Sequence, residues 1–145
     1  MYQLSYRSIA SPLLNFEDLE AILAEAIATN SALNISGCLI YHNNSFVQIL
    51  EGKKKDVLHV YGKIKTDARH QSVTLLWDNK VEHRFFEEWH MAFYRPENEN
   101  EEKFVNDLLL FSKLTEKPSS ALLTFWANVQ KILRLGTVSQ FQKVY

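Results

Sequence analysis

This chain of 145 residues carries only one cysteine, four glycines and three prolines, few of the residues that cross-link, loosen or lock a backbone. The lone thiol, Cys38, cannot close an internal disulfide, so it fits a reducing compartment and reads as a packed core group. Neither G-x-G-x-x-G nor a Walker-type loop is present, so any nucleotide has to be held in some other way. No linker of low complexity and no internal repeat divides the chain. No apolar run approaches the roughly 18 residues that span a bilayer, and no charged n-region followed by an apolar h-region opens the sequence. A soluble, cytoplasmic protein that does not engage a membrane is expected. Charge of one sign is also missing: Lys+Arg 16 against Asp+Glu 17 gives a formal net charge of -1. That balance argues against a direct nucleic-acid partner. Lys53-Lys54-Lys55 is the one basic run and reads as a solvated turn. The histidines lack metal-ligand spacing, and neither a nucleophile elbow nor a zinc-like cluster occurs, so no metal site and no enzyme motif is visible.

A hydrophobic content of 46% over this length is enough for a real core in one domain. Residues 2 to 8 alternate as a strand, with Tyr2, Leu4, Tyr6 and Ser8 on one side and Gln3, Ser5 and Arg7 on the other. Asn15 followed by Asp18 marks a helix start, and Leu19, Ile22, Leu23, Ala26 and Ile27 repeat at helical spacing to about Thr29. Asn30 and Asn34 then read as residues just past the helix end, able to cap it or to offer amides to a ligand. The stretch from Gly37 to Gly52 predicts a hairpin through an Asn-Asn-Ser turn, with Glu51-Gly52 breaking the second strand. Val57, Val60, Tyr61 and Ile64 mark a second amphipathic helix that ends near Asp67.

Two more strands are expected at 72 to 77 and 88 to 94, bridged by the charged segment Glu82 to Glu88. In the last strand Trp89, Met91 and Phe93 share one face by alternation. The order strand, helix, strand, strand, helix, strand, strand predicts an α+β fold: a ferredoxin-like, split β-α-β sheet of five strands with two helices on one face. Residues 101 to 113 and 119 to 134 are expected to cover the other face, because Phe104, Leu108 and Phe111, then Leu122, Trp126, Val129 and Leu133, recur every three or four residues. The tail from Gly136 alternates weakly and reads as a loose end or a partner-binding strand.

In the second hairpin strand the period of two puts Phe46, Gln48 and Leu50 on one face and Val47 and Ile49 on the other, so both faces read as buried. Gln48 is then a primary amide in apolar surroundings. Leaving such a group unpaired costs about 1 to 3 kcal/mol. It is either a core glutamine tied to its neighbours or a contact for a buried ligand rich in polar atoms.

Six motifs in order decide between these. Y-R-S at Tyr6, D-L-x-x-I-L at Asp18, N-x-x-x-x-I-S-G-x-L-x-Y at Asn30, F-x-Q-x-L-E-G at Phe46, K-I-x-x-D-x-R-H at Lys63 and R-x-F-x-x-W-x-M at Arg84 together resemble the BLUF domain, a family of blue-light sensors that use flavin. The resemblance covers residues 2 to 94, which implies a flavin-binding domain at 1-95 and, at 96-145, the helical extension common in short members. It implies FAD, with FMN as an alternative, held between the two helices. Tyr6 is implied as the donor to the excited flavin and Gln48 as the relay. Asn30 is implied at the ring carbonyl edge, and Ile22 and Ile64 on its faces. Arg69, His70 and Asp67 are implied toward the ribityl and phosphate end, with Ser8 also on the cofactor side. Trp89 and Met91 match the switching strand, where one or the other approaches the glutamine. At Thr29 the sequence departs from members that carry Asn or His. The expected function is light sensing without turnover, passed to a separate protein or within a homo-oligomer. Two rivals are a light-independent binding module on the same scaffold and an acylphosphatase-like hydrolase. The hydrolase needs an arginine in a glycine-rich anion loop after the first strand, where this chain reads I-A-S-P-L-L-N.

Overall fold

A computed structural model describes residues 1–94, 99, 100, 103, 106, 120–134 and 143–144. Its scaffold is a six-stranded sheet: β1 (Tyr2–Ala10), β2 (Ser36–His42), β3 (Ser45–Gly52), β4 (His70–Lys80), β5 (Ala92–Tyr94) and β6 (Lys143–Val144), in the spatial order β4-β1-β3-β2-β5-β6. The first five strands form the α+β, ferredoxin-like arrangement expected from the sequence. β1 is antiparallel to both β3 and β4, and β2 runs parallel to β5.

Local chemistry explains the hairpin. Asn43 and Asn44 both take positive φ, at 49° and 58°, and asparagine tolerates this left-handed conformation better than most residues. Their twist matches that of the flanking strands, and Tyr41 pairs with Phe46 at the closed end. At Gly37 the strands approach so closely that a Cβ would lie 2.1 Å from the Ile49 carbonyl oxygen, which excludes any side chain there. β3 runs on through Glu51 and Gly52, which pair with Gln3 and Tyr2, so Glu51 does not break the strand.

Helix α1 (Phe16–Leu33) opens with a capping box. The Asn15 side chain accepts from the Asp18 amide, and the Asp18 carboxylate accepts from the Asn15 amide. It extends four residues beyond the expected Thr29 and stops at Asn34, whose φ of 53° places it in the left-handed region. Asn30 therefore lies inside the last turn rather than past it. Helix α2 (Lys54–Lys65) begins at Lys53, so the three lysines open a helix and are exposed there. One face of the sheet packs Tyr2, Leu4, Tyr6, Leu39, Phe46, Leu50, Met91 and Phe93 against Leu19, Ile22, Leu23, Val57 and Val60 from these two helices.

The opposite face, with Cys38, Ile40, Val47, Ile49 and Trp77, is covered by helix α3 (Ser120–Arg134) through Trp126 and Val129. Trp126 also donates to the Ser5 hydroxyl at 3.1 Å, which fixes the helix over β1. The expected helix at 101 to 113, with Phe104, Leu108 and Phe111, lies outside the described residues, as do the side chains of Leu122 and Leu133. Of the tail, Lys143 and Val144 pair with Phe93 and Ala92, so that piece extends the chain's own sheet.

The segment before β5 departs most from expectation. Residues 88 to 91 are not strand, and strand geometry begins only at Ala92. Alternation consequently fails at Trp89. Met91 and Phe93 face the α1 and α2 side, whereas Trp89 packs on the α3 side with Phe86 and Trp126. A period of two holds only while the backbone stays extended.

Candidate functional site

Between α1 and α2, above the sheet, lies a cleft of about 130 Å³. Ile22 and Ala26 of α1 form one wall and Val60 and Ile64 of α2 the other; each pair is one helical turn apart. Leu39, Gln48 and Tyr6 lie on the sheet side, Thr29 and Asn30 line the α1 end, and Asp67 and Arg69 of the loop after α2, with His70 at the start of β4, line the other. A slot with apolar walls and polar groups along its floor and ends suits a flat aromatic ring whose edge carries hydrogen-bonding atoms, so the residues present fit a flavin.

The floor is a short polar chain. Tyr6, on β1, is opposite Gln48 on β3, and its fully buried hydroxyl donates to the Gln48 Oε1. Gln48 Nε2 in turn donates to the Met91 sulfur at 3.5 Å. A thioether is a weak acceptor, so this amide group holds one firm partner and one soft one. Burial pushes the Tyr6 phenol well above its ordinary pKa, reinforced by Tyr61 and Asp67, so the hydroxyl stays protonated. Tyr61 lies against it with ring centroids 5.5 Å apart.

The ends of the cleft are more strongly tied. Asn30 donates to the His90 carbonyl at 2.7 Å, linking the last turn of α1 to the segment that leads into β5. Arg69 grips Asp67 through Nε at 3.0 Å and Nη2 at 2.7 Å, and the Glu25 carboxylate through Nη2 at 2.6 Å. The hydrogen bond from Arg69 holds the Asp67 carboxyl below its ordinary range against the opposing effect of burial. His70 Nδ1 meets the Ser8 hydroxyl at 2.8 Å, and burial lowers the imidazole pKa.

The structure thus brings Tyr6, Ile22, Thr29, Asn30, Gln48, Ile64, Asp67, Arg69 and His70 around one cleft. Ser8 lies behind His70 rather than on the cleft lining, and Met91 reaches the floor through Gln48. Trp89 is not brought to the cleft; it sits on the far side of the sheet.

Sequence reasoning missed Glu25, Leu39 and Lys63, which also line the cleft, as well as Ala26, Val60 and Glu51. Ala26 and Val60 line the walls beside Ile22 and Ile64, and helical spacing from those residues is the signal that finds them. Glu51 is fully buried on the α3 face and accepts from the amides of Phe85 at 2.5 Å and Phe86 at 2.7 Å, from Gln3 Nε2 at 2.6 Å and from Ser36 at 3.4 Å. Arg84 adds its charge while binding the Ser36 hydroxyl at 2.8 Å and the Asn34 carbonyl at 2.8 Å. Burial raises the Glu51 carboxyl, opposed by these donors and by Arg84. Every partner donates, which is the arrangement an ionised carboxylate needs. Strand alternation from Val47 and Ile49 foretells an acid on that buried face.

Comparisons with known proteins identify the family and the fold. The profile of the family described as "BLUF: Sensors of blue-light using FAD" matches residues 1–92. The photoactivated adenylate cyclase subunit beta of Euglena longa is 38% identical over 87 residues, covering 59% of this chain and 10% of that protein. The chain thus spans about a tenth of that relative's length. The structure of BlsA in its photo-activated state is 28% identical with a TM-score of 0.75, covering 90% of this chain and 94% of that one. The dark-state structure of BlrB, a BLUF protein, has the same TM-score of 0.75 at 22% identity, covering 90% of this chain and 96% of that one, and shares the fold. With the motifs, the cleft and the profile in agreement over the same residues, the chain belongs to the BLUF family of flavin-using blue-light sensors.

Proposed function

We propose that this chain is a blue-light receptor that holds FAD in the cleft between α1 and α2, with FMN as the alternative, and reports light by rearranging the Tyr6, Gln48 and Met91 hydrogen bonds. The observation that carries the reading is the buried Gln48 amide, held by Tyr6 on one side and only by a thioether on the other. A bound flavin supplies absorption of blue light and, once excited, a strong demand for an electron.

Tyr6 is suited to meet that demand because its phenol is neutral, buried and already hydrogen-bonded along the path its proton would take. Gln48 can turn or tautomerise without a change of volume, since its oxygen and nitrogen ends are nearly the same shape. Turning exchanges the acceptor it offers Tyr6 for a donor and loses only the weak bond to Met91. Ile22 and Ile64 keep the ring region dry from either side, and Asn30 orients the α1 end. Met91 lies one residue before β5, so a change at Gln48 acts directly on the entry to that strand.

In this reading residues 1-95 form the sensor and 96-145 an extension that passes the signal to a separate protein or within a homo-oligomer, without turnover of its own. A cytoplasmic location accords with the buried free thiol of Cys38. Neither rival is favoured by an observation. The hydrolase requires an arginine in an anion loop, whereas Arg7 lies within β1, paired with Val47 and Thr74.

A visible spectrum of the flavin-loaded protein before and after blue light tests the proposal. A reversible red shift of the flavin band is expected, lost in Tyr6→Phe and in Gln48→Leu while the colour remains. A colourless protein after flavin is supplied, or an unshifted spectrum, overturns it; a normal shift in Tyr6→Phe removes Tyr6 from the mechanism.

A further inference from the structure

The mouth of the cleft is closed by charge. Arg69, in the loop after α2, is held locally by Asp67 two residues earlier, through its own amide at 2.9 Å and through Nε and Nη2. The free edge of the guanidinium is taken by Glu25, 44 residues away on α1, with Nη2 at 2.6 Å and Nη1 at 3.3 Å. This pair runs from one wall of the cleft to the other. It also leaves the mouth with two carboxylates against two cations, Arg69 and Lys63, so an incoming anion meets no net positive charge.

The two acids are not equivalent. Asp67 is three-quarters covered, with 24% of its side chain exposed, and belongs to the same turn as Arg69. Glu25 is 62% exposed and reaches Arg69 only by spanning the mouth, so it is the exchangeable partner.

We infer that Glu25 determines cofactor specificity at this site: its carboxylate occupies the edge of Arg69 that a flavin phosphate needs, and so it lowers affinity for FMN and FAD relative to phosphate-free riboflavin. A planar guanidinium binds carboxylate and phosphate through the same fork, so the two compete for one set of N–H donors. This rests on the flavin reading of the cleft.

The test is a titration of the flavin-stripped full chain with riboflavin and with FMN, followed by quenching of flavin fluorescence, for the parent protein, Glu25→Gln, Arg69→Ala and the double variant. In Glu25→Gln the ratio of the riboflavin to the FMN dissociation constant is expected to rise by about two- to fivefold, the size an exposed ion pair commands. That gain is expected to vanish when Arg69→Ala is added. An unchanged ratio in Glu25→Gln overturns the inference while leaving the flavin reading intact, and so does a gain that persists without Arg69. Failure of the parent protein to bind either flavin overturns both.

Discussion

Replacing Glu51 by alanine should be among the most damaging single changes in the sheet, and its cost can be worked from the contacts. The carboxylate is 0% exposed and accepts four hydrogen bonds, from the Phe85 and Phe86 amides, Gln3 and Ser36. Gln3 and Ser36 can rotate, and Ser36 retains its bond from Arg84. The two backbone amides cannot turn away without moving the segment that leads to Trp89 and Met91. Each stranded amide costs about 1 to 3 kcal/mol. Arg84, which binds Ser36 and backbone carbonyls rather than the carboxylate, loses only a nearby opposite charge, so the two stranded amides set a total on the order of 3 to 5 kcal/mol. With an m-value of about 2 kcal/mol per molar urea, the unfolding midpoint should fall by roughly 1.5 to 2.5 M. Glu51→Gln, which keeps the volume and one acceptor oxygen but opposes an amide with its own NH2, should lie between the two. Urea titrations of the flavin-free protein, followed by tryptophan fluorescence, measure both. A midpoint loss in Glu51→Ala below about 0.5 M would show that the Phe85 and Phe86 amides find other partners, and the account of Glu51 as the anchor of this segment would be wrong.

Two further outcomes follow from the site. Because Met91 contacts Gln48 while Trp89 lies on the far side of the sheet, Met91→Ala should alter the light-induced shift, whereas Trp89→Phe should keep the shift and lower stability by about 1 to 3 kcal/mol. A shift altered by Trp89→Phe alone, read from the same difference spectra, would refute that assignment. Burial holds the His70 imidazole below its ordinary pKa, so on acidification the unfolded chain takes a proton that the folded ring refuses. Stability of the flavin-free protein should therefore decline as pH falls through about 6.5 toward the folded pKa, and His70→Gln should flatten that decline in urea midpoints compared at pH 7.5 and about 5.5. Equal slopes for the two proteins would exclude His70 as the source.

What the sequence determined by itself is what short-range chemistry controls. Alternation placed Tyr6 and Gln48 each on a buried face of its own strand, Asn15 and Asp18 announced the start of α1, and Asn43-Asn44 announced a tight hairpin. Such features depend on residues a few positions apart, so pattern is sufficient to find them. Helical spacing put Ile22 and Ile64 on the inward faces of their helices, and the family resemblance implied their place on the cleft walls, where both lie.

The tertiary structure decided the rest. Whether residues 88 to 91 are extended depends on the anchor at Glu51, and Phe86 is 35 residues away from it in sequence. That distant contact, with packing on Trp126, turns Trp89 to the α3 side and leaves Met91 alone at the glutamine. The charge at the cleft mouth was equally hidden, since an arginine in sequence is a free cation until the fold brings Glu25 and Asp67 onto it. Local pattern can say which face a residue prefers; only packing between distant segments decides which partner meets it there.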